Sequence, residues 1–229
     1  MLDAMQGVRG VVTDDLDPDF LYTLCVELGW GYARLFDALQ NSSTHDERFL
    51  EEEFNRRRGA YAMQALAQAA HQHGVPFEWR RLDCNGQRKI LVRAGRVILI
   101  QEPIVTITDH PQTADYKVAL SDLNSYVRQL ELDLGDQPGR ILDWSGCVLA
   151  VVLHGAAGPR FSREHKCLGG LMLGVPDAAY RQWTMRLDLH QIAMFGRAPV
   201  EKIGTPEPHP QRDRVIILPK KKNSSRDTA

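Results

Sequence analysis

The chain has 229 residues, 43% of them hydrophobic and 25% charged, which excludes a disordered, collagen-like or disulfide-stapled protein. A chain of this length buries roughly 70% of the surface that its unfolded form exposes, so it can build a core without metal or disulfide support. The formal net charge of −1 gives the whole molecule no preference for nucleic acid or anionic membranes, so any such preference must be local.

Two amphipathic helices are predicted in the first third of the chain. The first covers residues 17–40, because an aspartate that can cap a helix and a proline precede a run of apolar residues at helical spacing. The second begins at Thr44, which has capping-box spacing to Glu47, and it ends at Gly74. The charge run at 51–57 is typical of a solvated helix face.

The hydrophobic period then changes to that of β-strands. Residues 77–84 and 87–93 flank an Asn-Gly pair at 85–86, which supplies the positive φ angles of a tight hairpin turn. An Ala-Gly turn at 94–95 leads into a third strand over residues 96–101. These three segments predict an antiparallel meander.

The second half of the chain predicts a mixture of both element types. A helix is expected over residues 120–134, and strands over 147–154 and 168–175. Residues 177–195 fit a helix and an alternating strand, and we predict a helix. Together these elements predict an α+β domain over residues 1–196, with N-terminal helices followed by a mostly antiparallel sheet and helices packed on one face.

Residues 197–229 differ in composition from this domain. Their prolines and lysines predict an extended segment, an edge strand at 214–218 and a disordered basic tail. The four cysteines are scattered, and neither a leader nor a long apolar run is visible. We therefore expect reduced thiols, a cytoplasmic location and no membrane span. No nucleotide-binding motif is present, and we predict no cofactor.

Side chains of the types that bind zinc occur in one stretch of the sequence. They are Cys147, His154, His165 and Cys167. Their spacing matches none of the usual patterns, in which paired ligands lie a few residues apart. We therefore predict packing roles for Cys147 and His154 and no metal site.

The order helix, three antiparallel strands, helix, strand over residues 44–154 resembles the core layout of restriction-endonuclease-like nucleases. That resemblance implies a Mg²⁺ site made by acidic residues, with a lysine two residues after the second acid. The sequence has Gln-Glu-Pro at 101–103 where this motif is expected. A Glu-x-Lys does occur at Glu164 and Lys166, with Asp143 upstream, and these three residues define a metal-dependent nuclease as one alternative function.

The predicted hairpin is locally basic over residues 80–96. Two-stranded ribbons can enter a major groove, where arginines contact phosphates and guanine edges. The candidate nucleic-acid-binding residues are Arg80, Arg81, Arg88, Lys89, Arg93 and Arg96. The competing interpretation is that charged strand edges prevent edge-to-edge pairing.

No complete catalytic motif is present, so the sequence leaves open whether the protein is an enzyme. The leading hypothesis is a non-catalytic binding or regulatory protein that acts through a protein partner or through self-association. The helix over residues 17–40 is the expected contact surface, because it has enough apolar residues to bury one face and expose another. A nucleic-acid-binding protein that uses the basic hairpin is the first alternative.

Overall fold

The computed structural model describes residues 2–42, 46–81, 86–106, 108–122, 124 and 146–195. Their helices and strands are α1 Leu2–Asp15, α2 Pro18–Gln40, α3 Glu47–Gln72, β1 Phe77–Arg81, β2 Arg88–Ala94, β3 Val97–Pro103, α4 Asp115–Ser121, β4 Val148–Ala156, β5 Leu168–Pro176, β6 Trp183–Asp188 and α5 Leu189–Phe195. This order confirms the predicted α+β fold, with N-terminal helices ahead of a mostly antiparallel sheet.

Within the described residues, the strands form one sheet in chain order, β1-β2-β3-β4-β5-β6. All neighbours are antiparallel except β3 and β4, which are parallel, with Val97 opposite Val148 and Pro103 opposite His154. A parallel pair needs a crossover connection, and α4 lies in the segment that joins these strands. The helix, meander, helix and strand that suggested the nuclease layout therefore follow one another in that order.

Alternate residues of the sheet are buried on its two faces, as the two-residue period of a strand requires. The face with Val92 and Leu99 packs against α1, α2, α3 and α5. The opposite face, with Ile98 and Val151, packs against α4 and against Tyr180 from the β5–β6 connection. Among the described helices, four thus lie on one face of the sheet, and the short α4 packs against the other.

The observed ends of the two long helices, α2 and α3, agree in part with the ends predicted from the sequence. Asp17 caps α2 as predicted, with its Oδ1 accepting a hydrogen bond from the amide of Asp19 at 2.9 Å. Gly74, at φ +63°, ends α3 as predicted. The cap of α3 is Asp46 and not Thr44, since the Asp46 carboxylate accepts two amide hydrogen bonds of the first turn. Thr44 itself lies outside the described residues.

The hairpin register differs from the prediction. Arg81 lies opposite Arg88, whereas a two-residue turn at 85–86 would place it opposite Ile90. A shift of two residues leaves every side chain on the same face of the sheet, so burial does not discriminate between the two registers. Residues 82–85, which contain most of the turn, are outside the described part of the chain.

The helix predicted over residues 177–195 is wrong in its first half. Residues 183–188 form β6, and only residues 189–195 are helical. The alternation of Met185 and Leu187 matches the pleat, whereas a register shift at the start of β6 places Trp183 against the opposite face. Pairing with β5 satisfies backbone groups that a sheet edge would leave open. A single sequence cannot show that β5 offers this edge.

One helix of the structure was not predicted from the sequence, and several predicted elements fall partly or wholly outside the described residues. The helix α1 is not predicted by the sequence analysis, because its glycines obscure the apolar positions Val11 and Val12, which are buried. Most of the predicted helix over 120–134 lies outside the described residues, as do residues 197–229 with their predicted edge strand at 214–218. Among the described helices, none combines the length and the apolar character needed to cross a membrane.

Candidate functional site

The helix α2 is covered on three of its sides. Toward the sheet, Leu24 and Leu28 are buried in the main core. On one flank it packs against α3, where Thr23 Oγ1 lies 2.7 Å from His73 Nε2. On the other flank it packs beside α5. The inward and lateral faces of α2 are therefore explained by the fold.

The fourth side of α2 is apolar and exposed to solvent. Tyr22, Val26 and Trp30 are 54%, 39% and 66% exposed. Their four-residue spacing places them in one row along the helix, and Gly29 and Ala33 belong to the same face. We call these five residues the α2 stripe. From Tyr22 to Ala33 it extends about 17 Å along the helix axis.

Charged residues lie at the two ends of the α2 stripe and have opposite signs. Asp19 is exposed one turn before Tyr22. Arg34 follows Ala33 with 59% of its side chain exposed, and its Nη2 lies 3.8 Å from Glu27 Oε2. The outward face of α2 is thus an apolar row between an acidic and a basic end.

The structure divides the basic residues that were predicted to bind nucleic acid. Arg80 lies opposite Lys89, and Arg81 lies opposite Arg88. Directly opposite residues share a face, and successive residues alternate between faces. Arg80, Lys89 and Arg93 therefore lie on the face that carries α4, whereas Arg81 and Arg88 lie on the other face.

Two of these six basic residues already have carboxylate partners. Arg96 donates to Asp15 from its backbone amide at 2.7 Å and from its guanidinium at 2.8 and 2.9 Å. Arg80 Nη2 lies 2.7 Å from Glu78 Oε1. The six residues consequently do not form one continuous basic surface.

The residues with zinc-binding side chains are not brought together. Cys147 precedes β4 and His154 lies near its end, so about 23 Å of extended strand separates them. In the β4–β5 loop, Cys167 Sγ donates to a backbone carbonyl at 3.0 Å and His165 Nδ1 accepts from a backbone amide at 3.3 Å. The described residues contain no group of three or more side chains that could hold a metal.

Of the three residues proposed for a nuclease, the structure describes Glu164 and Lys166, and these two side chains lie in different environments. Asp143 lies outside the described residues. Glu164 is exposed, whereas Lys166 is 3% exposed and its Nζ donates to a loop proline carbonyl at 2.6 Å. On β3, Gln101 and Glu102 point to opposite faces and are both buried. The described residues around the end of β3 therefore contain no solvent-exposed pair of acidic side chains.

One buried polar cluster lies on the helix side of the sheet, around His154. The His154 Nδ1 is 2.7 Å from the Tyr32 hydroxyl, and its Nε2 is 2.7 Å from Gln101 Oε1. Because an amide oxygen only accepts, Nε2 carries the proton and Tyr32 donates to Nδ1. Complete burial, and then the nearby positive charge of Arg58, lower the pKa of His154 to about 3. His154 is thus held as a neutral imidazole.

A second buried cluster lies on the opposite face, around Glu102. Its carboxylate accepts hydrogen bonds from Lys117 Nζ at 2.6 Å, from the Tyr180 hydroxyl at 2.7 Å and from the backbone amide of Gln112 at 2.8 Å. Burial is the largest cause that raises the pKa of Tyr180, which stays a neutral donor. These three donors satisfy a charge that would otherwise be costly to bury.

Neither buried cluster was predicted from the sequence, although the sequence contains one signal for them. Gln101 and Glu102 end a strand that is otherwise apolar, which indicates polar groups in a buried place. Their partners Tyr32 and Lys117 carry no such local signal. Searches against protein-family models, curated proteins and solved structures found no match to this chain. Its function must therefore be argued from its own geometry.

Proposed function

We propose that this protein is a non-catalytic binding protein that self-associates through the α2 stripe. In the proposed pair, two copies pack α2 against α2 in antiparallel orientation. The observation that carries the proposal is the exposed row of Tyr22, Val26 and Trp30 on a helix whose other sides are covered. Exposed apolar patches of this kind are typical of interaction surfaces.

A second copy is favoured as the partner because the α2 stripe is complementary to itself. If Val26 lies on a two-fold axis, the partner's α2 runs in the opposite direction, and Trp30 of one copy is level with Tyr22 of the other. Asp19 then approaches Arg34 of the other copy within one residue of helix rise. Gly29 and Ala33 are small, so they allow the helices to approach closely.

The proposed interface needs more than the stripe alone. Tyr22, Val26 and Trp30 expose on the order of 300 Å² per copy, whereas a stable interface buries about 800 Å² per partner. Met194 on α5, the helix that packs beside α2, is 69% exposed and extends the apolar surface. The stripe is thus the centre of an interface whose rim includes neighbouring helices.

Light scattering of two matched tryptophan variants tests this proposal. Trp30→Glu removes the largest exposed side chain of the stripe, and Trp79→Glu makes the same change at a tryptophan of β1 that is 43% exposed. We expect the unmodified chain and Trp79→Glu to form dimers. The Trp30→Glu variant should be a monomer with an unchanged circular dichroism spectrum. Dimerisation of Trp30→Glu at the affinity of the unmodified chain would refute the proposal.

A charge exchange tests the orientation separately. Asp19→Arg and Arg34→Asp each place like charges together in the antiparallel pair, and the double variant restores opposite charges. We expect each single variant to weaken the dimer and the double variant to recover most of the loss, because attraction and repulsion at this range are of similar size. If the double variant lost as much dimer affinity as the two single variants together, the antiparallel arrangement would be contradicted.

A further inference from the structure

A pocket of about 190 Å³ opens on the face of the sheet that carries α4, opposite to the face that carries α2. Three kinds of side chain line it: two cations, one aromatic ring and three aliphatic groups. They are Arg80, Lys89, Tyr116, Leu91, Ala119 and Leu120. The pocket is separate from the α2 stripe, so an inference from it does not depend on the proposed function.

Lys89 is the unusual member of this lining. It is half-buried and its Nζ lies 5.9 Å from the centre of the Tyr116 ring, while no carboxylate of the described residues lies within ion-pair distance of it. Burial, and then the like charge of Lys117, lower the pKa of Lys89. A partly desolvated cation without a counter-charge is unfavourable unless an anion joins it.

The cations next to Lys89 are paired with carboxylates, so among the described residues that line the pocket Lys89 is the one cation without a carboxylate partner. Arg80 is paired with Glu78 at 2.7 Å, and Lys117 is paired with Glu102 at 2.6 Å. Lys89 is what remains. A ligand that matches this charge is a monoanion, since a dianion would bring a second charge that nothing in the lining neutralises.

The rest of the lining indicates what else the ligand contains. The pKa of Tyr116 is raised to about 12, chiefly by burial, so its phenol is neutral and can donate a hydrogen bond. Within the described residues its hydroxyl makes no hydrogen bond. Leu91 and Leu120 give an apolar wall, and a cavity of about 150 Å³ is enough for a benzene ring. The pocket therefore has room for one ring or a short aliphatic body.

From these contacts we infer that the pocket binds a small organic carboxylate. The carboxylate accepts hydrogen bonds from Lys89 Nζ and the Tyr116 hydroxyl, and the apolar body packs against Leu91 and Leu120. No covalent step is involved. An inorganic phosphate would leave the apolar wall uncovered, and a nucleic-acid backbone would use only the cations.

Titrations followed by NMR test this assignment on the full chain, with benzoate as the probe and neutral benzamide as its isostere. We expect benzoate to shift the signals of Tyr116 and Leu91 saturably and benzamide to leave them unchanged. Lys89→Gln should weaken benzoate binding roughly tenfold or more, because a charge-assisted hydrogen bond is lost. Arg88→Gln removes the same charge from the opposite face of the same strand and should have no effect.

Three outcomes would overturn the inference. One is that Lys89→Gln binds benzoate as the unmodified chain does. Another is that Arg88→Gln loses as much affinity as Lys89→Gln, which would mean that only net charge matters. The third is that inorganic phosphate or a DNA duplex shifts the Tyr116 signals while benzoate does not, which would assign the pocket to phosphate groups.

Discussion

The neighbouring helices α2 and α3 are similar in length, with 23 and 26 residues, but they present different surfaces to solvent. Both bury large apolar side chains inward, such as Leu28 of α2 and Phe54 of α3. Outward, α3 exposes charged residues such as Arg56 and Arg57 and a single aromatic ring near its start, Phe49. By contrast, α2 exposes the continuous apolar row of Tyr22, Val26 and Trp30. The fold requires only an apolar inward face, so the outward face of α2 indicates a requirement beyond folding.

The largest expected effects concern the inward faces, where the two helices should behave alike. Phe20→Ala in α2 and Phe54→Ala in α3 remove fully buried rings, and each should lower the free energy of unfolding by about 3–5 kcal/mol. Urea denaturation at fixed protein concentration measures this loss. Phe49→Ala, at a residue of α3 that is 45% exposed, should cost less than about 1 kcal/mol. Equal costs at all three positions would remove the distinction between inward and outward faces.

The next effect is a dependence of stability on pH, since α2 and α3 both supply residues to the His154 cluster. The pKa of His154 is about 3 in the folded protein and about 6.5 in the unfolded chain, so below pH 6.5 the unfolded chain takes up a proton that the folded protein does not. The contribution of His154 to the free energy of unfolding is therefore complete above pH 6.5. It should fall by about 1.4 kcal/mol per pH unit down to pH 3.

Two measurements separate this histidine from other titrating groups. The NMR signals of the His154 ring should remain those of the neutral imidazole at pH 5. His154→Gln should remove this slope between pH 3 and pH 6.5, because no imidazole is left at that position to take up the proton. A His154 ring that titrates near pH 6.5 would contradict the hydrogen-bond arrangement with Tyr32 and Gln101.

The smallest effect should distinguish stability from assembly on α2. A methyl group added at Gly29 contacts nothing within 4 Å, so Gly29→Ala should raise the stability of one chain by about 0.5–1 kcal/mol. In the proposed dimer the same methyl group enters the helix contact and should weaken association. Gly10→Ala in α1, also without a neighbour within 4 Å, should raise stability and leave association unchanged. Stronger association of Gly29→Ala would count against a close contact there.

The sequence predicts those features whose causes are local. The cap at Asp17, the stop at Gly74 and the apolar run of β4 each depend on residues that are near one another in the chain. Pairing at a distance was not predictable, as the β6 strand and the hairpin register show.

The same distinction between local and distant contacts applies to the candidate sites. The sequence indicated α2 as a contact surface and Lys89 as part of a basic hairpin. It did not indicate that Tyr116 would face Lys89. Nor did it indicate that His154 would hydrogen-bond to Gln101 and Tyr32, which lie 53 and 122 positions before it in the sequence. Such contacts depend on how strands and helices are placed in three dimensions, and one sequence does not determine that placement by inspection.

The most direct test of the antiparallel α2 pair is a disulfide across its two-fold axis. Val26→Cys, in a chain with Cys84 and Cys167 replaced by serine, would place two thiols face to face, and helices in contact bring such Cα atoms within disulfide range. Burial raises the pKa of Cys25 to about 11, so this neighbour stays an unreactive thiol. Ala38→Cys is the control, because the two thiols introduced there would lie about 36 Å apart along the helices.

We expect mild oxidation to convert Val26→Cys, and not Ala38→Cys, to a covalent dimer on a non-reducing gel. A single-chain band for Val26→Cys under conditions that oxidise free thiols, or equal cross-linking of both variants, would contradict the account.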